Sequence, residues 1–149
     1  MPENTTMNSG WMWGSRILSV VVGFIAVVIL SIVTDKVLEA IGVFPPPDRG
    51  LFDTGLLLTA ITYRSLYTIA GAYITARLAP DHPMRHALAL GIVGLIAGSL
   101  GAITTANLDL GPAWYAWGLA VTALPLAWLG GRLGELHVGS LASNSLHGE

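Results

Sequence analysis

The chain has 149 residues, 53% hydrophobic and 11% charged, with 7 Lys+Arg against 9 Asp+Glu and a mean hydropathy of +0.66. A soluble domain carries roughly 25% charged residues, so this composition excludes an ordinary soluble exterior, and its apolar richness excludes a disordered chain. A net charge of −2 gives no basic footprint for nucleic acid, and zero cysteines exclude disulfide frameworks and thiolate metal sites. What remains is an integral membrane protein.

The few charges act as punctuation. Residues 17–34 carry none; 54–76 are interrupted only by Arg64; 86–108 and 110–131 are again free of charge. A hydrocarbon core of about 30 Å takes roughly 20 helical residues, and the alternation of a lipid-facing strand is absent. The expected fold is therefore all-α: an antiparallel bundle of four transmembrane helices at about 15–41, 54–78, 83–105 and 112–133. A short tail, 1–14, precedes it and a flexible tail, 134–149, follows. The first segment reads as a retained helix rather than a cleaved signal. Its apolar run exceeds a signal h-region and leads into Thr34-Asp35-Lys36 without a small-residue cleavage site.

Alternating helices put both tails and the loop between helices 2 and 3 on one side, with Arg16, Arg77, Arg85 and Arg132. The other side holds Lys36 and Arg49 among Asp35, Glu39, Asp48, Asp53 and Asp109. The excess of arginine places both termini on the inner side under the positive-inside rule. Trp11 and Trp13 at one interface and Trp114, Tyr115 and Trp117 at the other read as interfacial anchors. Loop 1 carries Pro45-Pro46-Pro47, a stiff segment without amide donors. Pro83 and Pro112 suit the first turns of helices 3 and 4. Pro125 is expected to kink helix 4.

Helix 3 repeats small residues at Ala87, Gly91, Gly94, Gly98, Gly101 and Thr105, spaced alternately by three and four. That spacing keeps one side of the helix small and admits a second backbone closely, which is how helices adhere in lipid. The face is expected to meet its own bundle, with a dimer seam as the alternative. Ser19, Gly23 and Ala26 form a shorter small face on helix 1, and Gly71 and Thr75 do so on helix 2.

Arg64 stands out. It falls about ten residues into helix 2, where an arginine costs roughly 2.5–3.5 kcal/mol on insertion scales, so it should face the bundle or a water-filled crevice. If helix 1 ends near Ile41 and helix 2 starts near Asp53, residues at equal depth have numbers adding to about 94. Asp35 then lies roughly 7–8 Å in depth from Arg64, a distance the side chain can nearly cover. Asp35 and Arg64 are thus a candidate contact, with Tyr63 and Tyr67 completing the hydrogen bonds and Glu39 farther out. Such a pair serves either as a structural register lock or as a site for an anionic or zwitterionic ligand. Asp81, His82 and His86 lack the spacing of a metal motif, and no metal or cofactor is implied.

The stretches Thr75-Ala76-Arg77-Leu78-Ala79-Pro80 and Pro83-Met84-Arg85-His86-Ala87-Leu88 are flanked by Tyr63-Arg64 upstream and Gly111-Pro112-Ala113-Trp114-Tyr115 downstream. Together they resemble a group of small, uncharacterised bacterial inner-membrane proteins. Thr34-Asp35 and the loop-1 prolines share the resemblance, which covers most of the four-helix region. It implies a bacterial origin and a four-helix membrane fold, and carries over no functional residue. Three functions follow as expectations. The first is a structural or accessory bundle that packs on a partner membrane protein, or on a second copy, through glycine faces. The second is a small oligomeric transporter or lipid- or anion-binding protein using Arg64. A membrane enzyme ranks last, for want of a nucleophile and base. Membrane lipids are the expected partners throughout, and no nucleic acid is.

Overall fold

The computed structural model describes residues 5–146, with side chains from Trp13 to His137. It contains four long helices, α1 Thr5–Ala40, α2 Thr54–Leu78, α3 Pro83–Thr105 and α4 Ala113–Leu146, and no strand among the described residues. A short 3-10 turn, Pro47–Arg49, follows the loop-1 prolines. Two of the helices, over Trp13–Ala40 and Pro83–Thr105, are long and apolar enough to cross a membrane. In α2, Arg64 and the tyrosines and threonines around it lower the hydropathy below that measure. In α4, Trp114, Tyr115, Trp117, Pro125 and several glycines do the same.

The helix ends have visible causes. Asp53 caps α2 by accepting from the Leu56 amide at 2.9 Å. Pro83 occupies the first turn of α3, preceded by His82 in the left-handed region at φ 41°. At the opposite end of the bundle the Leu51 amide donates to the Leu110 carbonyl at 2.8 Å, joining the loop before α2 to the loop before α4.

Both terminal helices overrun the expected tails. Nothing from Thr5 onward breaks α1, which carries no proline before its end at Ala40. The segment expected to be a flexible tail after residue 133 is helical through Leu146. The reason is continued packing. Gly134 lies against Ala76 of α2, and the His137 ring meets Tyr73 edge-on at 6.2 Å.

The core is made by small residues. α2, α3 and α4 form a cluster around Ala72, Ala76, Ala87, Leu90 and Ala127, with Val20 and Phe24 of α1 packed against it. α3 and α4 run antiparallel, with Gly91 on Ala127 and Leu124, Gly94 on Ala123 and Gly98 on Ala120. The glycine face of α3 thus points into the bundle over these three residues, while Gly101 has open space beside it. α2 and α4 run parallel, with Gly130 on Ile69 and Ala72. α1 lies along α2 and touches α3, and among the described residues it does not reach α4. Its seam with α2 is tightest at Gly23 and Gly71, with Val27 against Gly71 and the fully buried Thr75 against Gly23. Outward from this core all four helices expose large apolar side chains, among them Ile29 of α1, Leu66 of α2, Ile96 of α3 and Val121 of α4.

Candidate functional site

Two features bring polar groups together inside this apolar bundle. The first joins the outer part of α1 to the middle of α2. Arg64 donates from Nη2 to Asp35 Oδ2 at 2.5 Å, and the Tyr63 hydroxyl donates to Asp35 Oδ1. One turn along α2, the Tyr67 hydroxyl shares a 2.8 Å hydrogen bond with Thr34 Oγ1, and its ring lies 5.7 Å from that of Tyr63. The Arg64 guanidinium also lies 5.9 Å from the centre of the Tyr63 ring. Helical periodicity explains the grouping: Tyr63, Arg64 and Tyr67 occupy one side of α2, and Thr34 and Asp35 the side of α1 that meets it.

The pair is not in dry packing. Its side chains are 32% exposed for Arg64 and 24% for Asp35. Arg64 Nε is buried and has no hydrogen-bond partner among the described residues, so Asp35 does not take up all the donors of the guanidinium. Glu39, one turn farther out on α1, does not join Arg64; it accepts from Lys36 Nζ at 2.6 Å.

Two cavities meet at this pair. One is a crevice of about 310 Å³, of the size that holds a small ligand. Its walls are Val28, Ser31 and Ile32 of α1, Thr68 of α2, Gly94, Ala97 and Gly98 of α3, and Leu119 of α4. The glycines of α3 leave its wall unfilled by side chains, so the face that admits α4 also creates the space. The other is a vestibule of about 190 Å³ beneath loop 1, lined by Glu39, Phe44, the three prolines, Leu110 and Tyr115. Asp35 and Arg64 line both.

Tyr115 is a site residue that sequence reasoning missed, having assigned it to an interfacial belt with Trp114 and Trp117. Those tryptophans are exposed, whereas Tyr115 is half-buried beside Arg64. Its position about 100° around the helix from Trp114 was the available signal. Trp13 is exposed, with the Arg16 guanidinium 5.3 Å from its ring; the side chain of Trp11 lies outside the described residues.

The second feature was also missed. Arg16, near the start of the apolar part of α1, forks onto Asp81 in the α2–α3 loop, with Nε to Oδ1 at 3.1 Å and Nη2 to Oδ2 at 2.6 Å. These hydrogen bonds hold the Asp81 carboxyl below the usual carboxylate range. His86 Nδ1 lies 3.2 Å from the His82 carbonyl oxygen, and no group of three or more His, Asp or Glu able to hold a metal occurs among the described residues.

Comparison of the chain with family models, with curated proteins and with solved structures finds no match. The chemistry of the site therefore rests on its own geometry. It offers a guanidinium with unused donors and a carboxylate that line both spaces, the carboxylate held from behind by the Tyr63 hydroxyl.

Proposed function

We propose that this chain is a multi-pass bacterial inner-membrane protein. All four helices span the bilayer with both termini in the cytoplasm, and the protein binds a hydrophobic or amphipathic molecule taken from the membrane. The membrane reading is supported by the apolar side chains that every helix turns outward, and by how little of α1 and α3 is buried. A core helix of a soluble protein would be covered instead. The binding reading is carried by one observation: the Asp35–Arg64 pair lines a crevice instead of being sealed between helices. An ion pair that only fixed register needs no ligand-sized space beside it, and an intramembrane ionisable residue by default marks a functional site.

The accessory role has one specific support. Gly101 on α3 and Gly118 on α4 face open space and could admit a second copy or a partner helix. The remainder of the glycine face is occupied by α4 within the same chain, so this reading ranks second.

The test is to purify the protein in non-ionic detergent and identify the molecules that co-purify, comparing wild type with Ala97→Trp and Arg64→Leu. Ala97 is exposed at the crevice wall, so a tryptophan there fills space without disturbing the core. Depletion of a bound molecule in both variants is the expected result. An identical set at identical ratios in all three proteins would overturn the reading.

A further inference from the structure

Two unlike cavities share one ion pair, and this carries the binding reading further. The crevice is apolar apart from Ser31, Thr68 and the pair itself. It opens on the side of the bundle, because Val28, Ile32 and Ala97 on its walls are exposed. The vestibule lies beyond the pair, toward loop 1, and there the charges change. Arg64 faces a space that also holds the carboxylates of Asp35 and Glu39, one helical turn apart on α1. Glu39 is partly offset by Lys36, whose own side chain is 63% exposed.

We propose that the crevice and vestibule together hold a single-chain zwitterionic amphiphile, a lysolipid of the phosphoethanolamine type. Its hydrocarbon chain occupies the crevice and its head sits in the vestibule. This inference rests on the binding reading above. The head's phosphate takes the unused donors of Arg64, and its ammonium lies toward Glu39.

Charge complementarity selects this class. A head bearing only negative charge would meet two carboxylates against one guanidinium that is already paired, and like charges in a partly desolvated site are costly. A head bearing only positive charge would leave the Arg64 donors unsatisfied and place a cation beside them. A head with both charges satisfies both walls. The crevice volume lies at the low end of small-molecule sites, which favours one chain over two.

The test uses the full chain in non-ionic detergent, with complexes counted by native mass spectrometry. Four probes are titrated: lysophosphatidylethanolamine, lysophosphatidylglycerol, an alkyltrimethylammonium of equal chain length, and phosphorylethanolamine without a chain. Lysophosphatidylethanolamine is expected to bind one to one, and the anionic and cationic amphiphiles about tenfold more weakly, as the loss of one charge-assisted contact implies. The chainless head is expected not to bind. Glu39→Gln should weaken lysophosphatidylethanolamine about tenfold without weakening lysophosphatidylglycerol, and Ala97→Trp should abolish binding of every chain-bearing probe. Melting temperatures of both variants establish that they are folded.

Equal binding of the anionic and zwitterionic lysolipids, still lost in Ala97→Trp, would overturn the head assignment and leave the crevice reading standing. Binding indifferent to Ala97→Trp, or no binding of any chain-bearing probe, would overturn both. Binding of the chainless head as tightly as the lysolipid would show a water-soluble zwitterion as the ligand and overturn the lipid assignment.

Discussion

Gly23 of α1 and Gly71 of α2 face each other across the helix seam with no room for a side chain on either. A Cβ on Gly23 would stand 2.7 Å from the Gly71 carbonyl oxygen, and one on Gly71 would stand 2.9 Å from the Gly23 carbonyl oxygen. Both distances lie below ordinary van der Waals contact, and backbone cannot move aside as a flexible side chain can. This close approach fixes the level at which α1 crosses α2, and so sets how far Asp35 stands from Arg64.

Gly71→Val is therefore expected to lower unfolding stability by about 1–3 kcal/mol, the usual cost of overpacking a filled interface. Gly91→Val should behave likewise, because a Cβ there meets Ala127 and Leu124. Gly101→Val, on the same stripe of α3 but in open space, should leave stability unchanged. Thermal melts in non-ionic detergent, read beside size-exclusion profiles, check all three. A change of oligomeric state in Gly101→Val alone would assign the outer end of the stripe to a contact between copies.

Removing one partner of the Asp35–Arg64 pair leaves the other charged and partly desolvated. Asp35→Leu and Arg64→Leu should each cost about 1–3 kcal/mol. The pair Asp35→Leu with Arg64→Leu should cost less than the sum of its two single changes, because no stranded charge remains. A double-mutant cycle on chemical unfolding in mixed micelles measures this. Strict additivity would mean that the two side chains act independently.

Asp81 gives a pH dependence with a definite sign. Its folded-state carboxyl titrates below the ordinary carboxylate range because of the Arg16 hydrogen bonds. Its contribution is therefore complete above about pH 5 and is lost as pH falls through the depressed folded-state value. Asp81→Asn should narrow the stability difference between neutral and strongly acidic solution, and the effect is small because both side chains of the pair are about one-third exposed and screened by solvent. Melting curves of both proteins across that range are the measurement. A difference that grows above pH 6 would have the wrong sign.

The chain has no cysteine, so introduced cysteines report topology without background. With four spans, Asp48→Cys and Asp109→Cys should react with an impermeant maleimide in intact cells, and His82→Cys and His137→Cys only after lysis. Labelling of positions 48 and 82 together in intact cells would mean that α2 does not cross the bilayer.

Much of this arrangement is legible in the sequence because helix geometry imposes simple arithmetic. Charge spacing brackets α2 and α3, whose ends fall at proline, at Asp53 and at the polar loops. Depth matching puts Asp35 within reach of Arg64 because neighbouring antiparallel helices rise at equal rates. The Arg16–Asp81 fork is not legible in that way. It joins a helix to a loop 65 positions away, and a loop has no fixed rise to count along. Nor do the overrunning ends of α1 and α4 show in composition. Polar, glycine-containing stretches read as tails, and only the contacts of Gly134 and His137 with α2 reveal why α4 continues. The crevice is invisible for a related reason: glycine spacing predicts a packed face and does not say where the neighbouring helix stops covering it.

The two ion pairs that hold α1 are of opposite sense: it contributes the cation at one end and the anion at the other. On a ribosome this has an order in time. Arg16 and Asp35 emerge before either partner has been made, with Arg64 following Asp35 by 29 positions, or a few seconds at about 5–20 residues per second. In the four-span reading proposed above, α1 enters the bilayer during that interval with the Asp35 carboxylate not yet paired to Arg64. In that reading the chain from α1 through Asp81 is the smallest nascent piece in which both of these pairs can close.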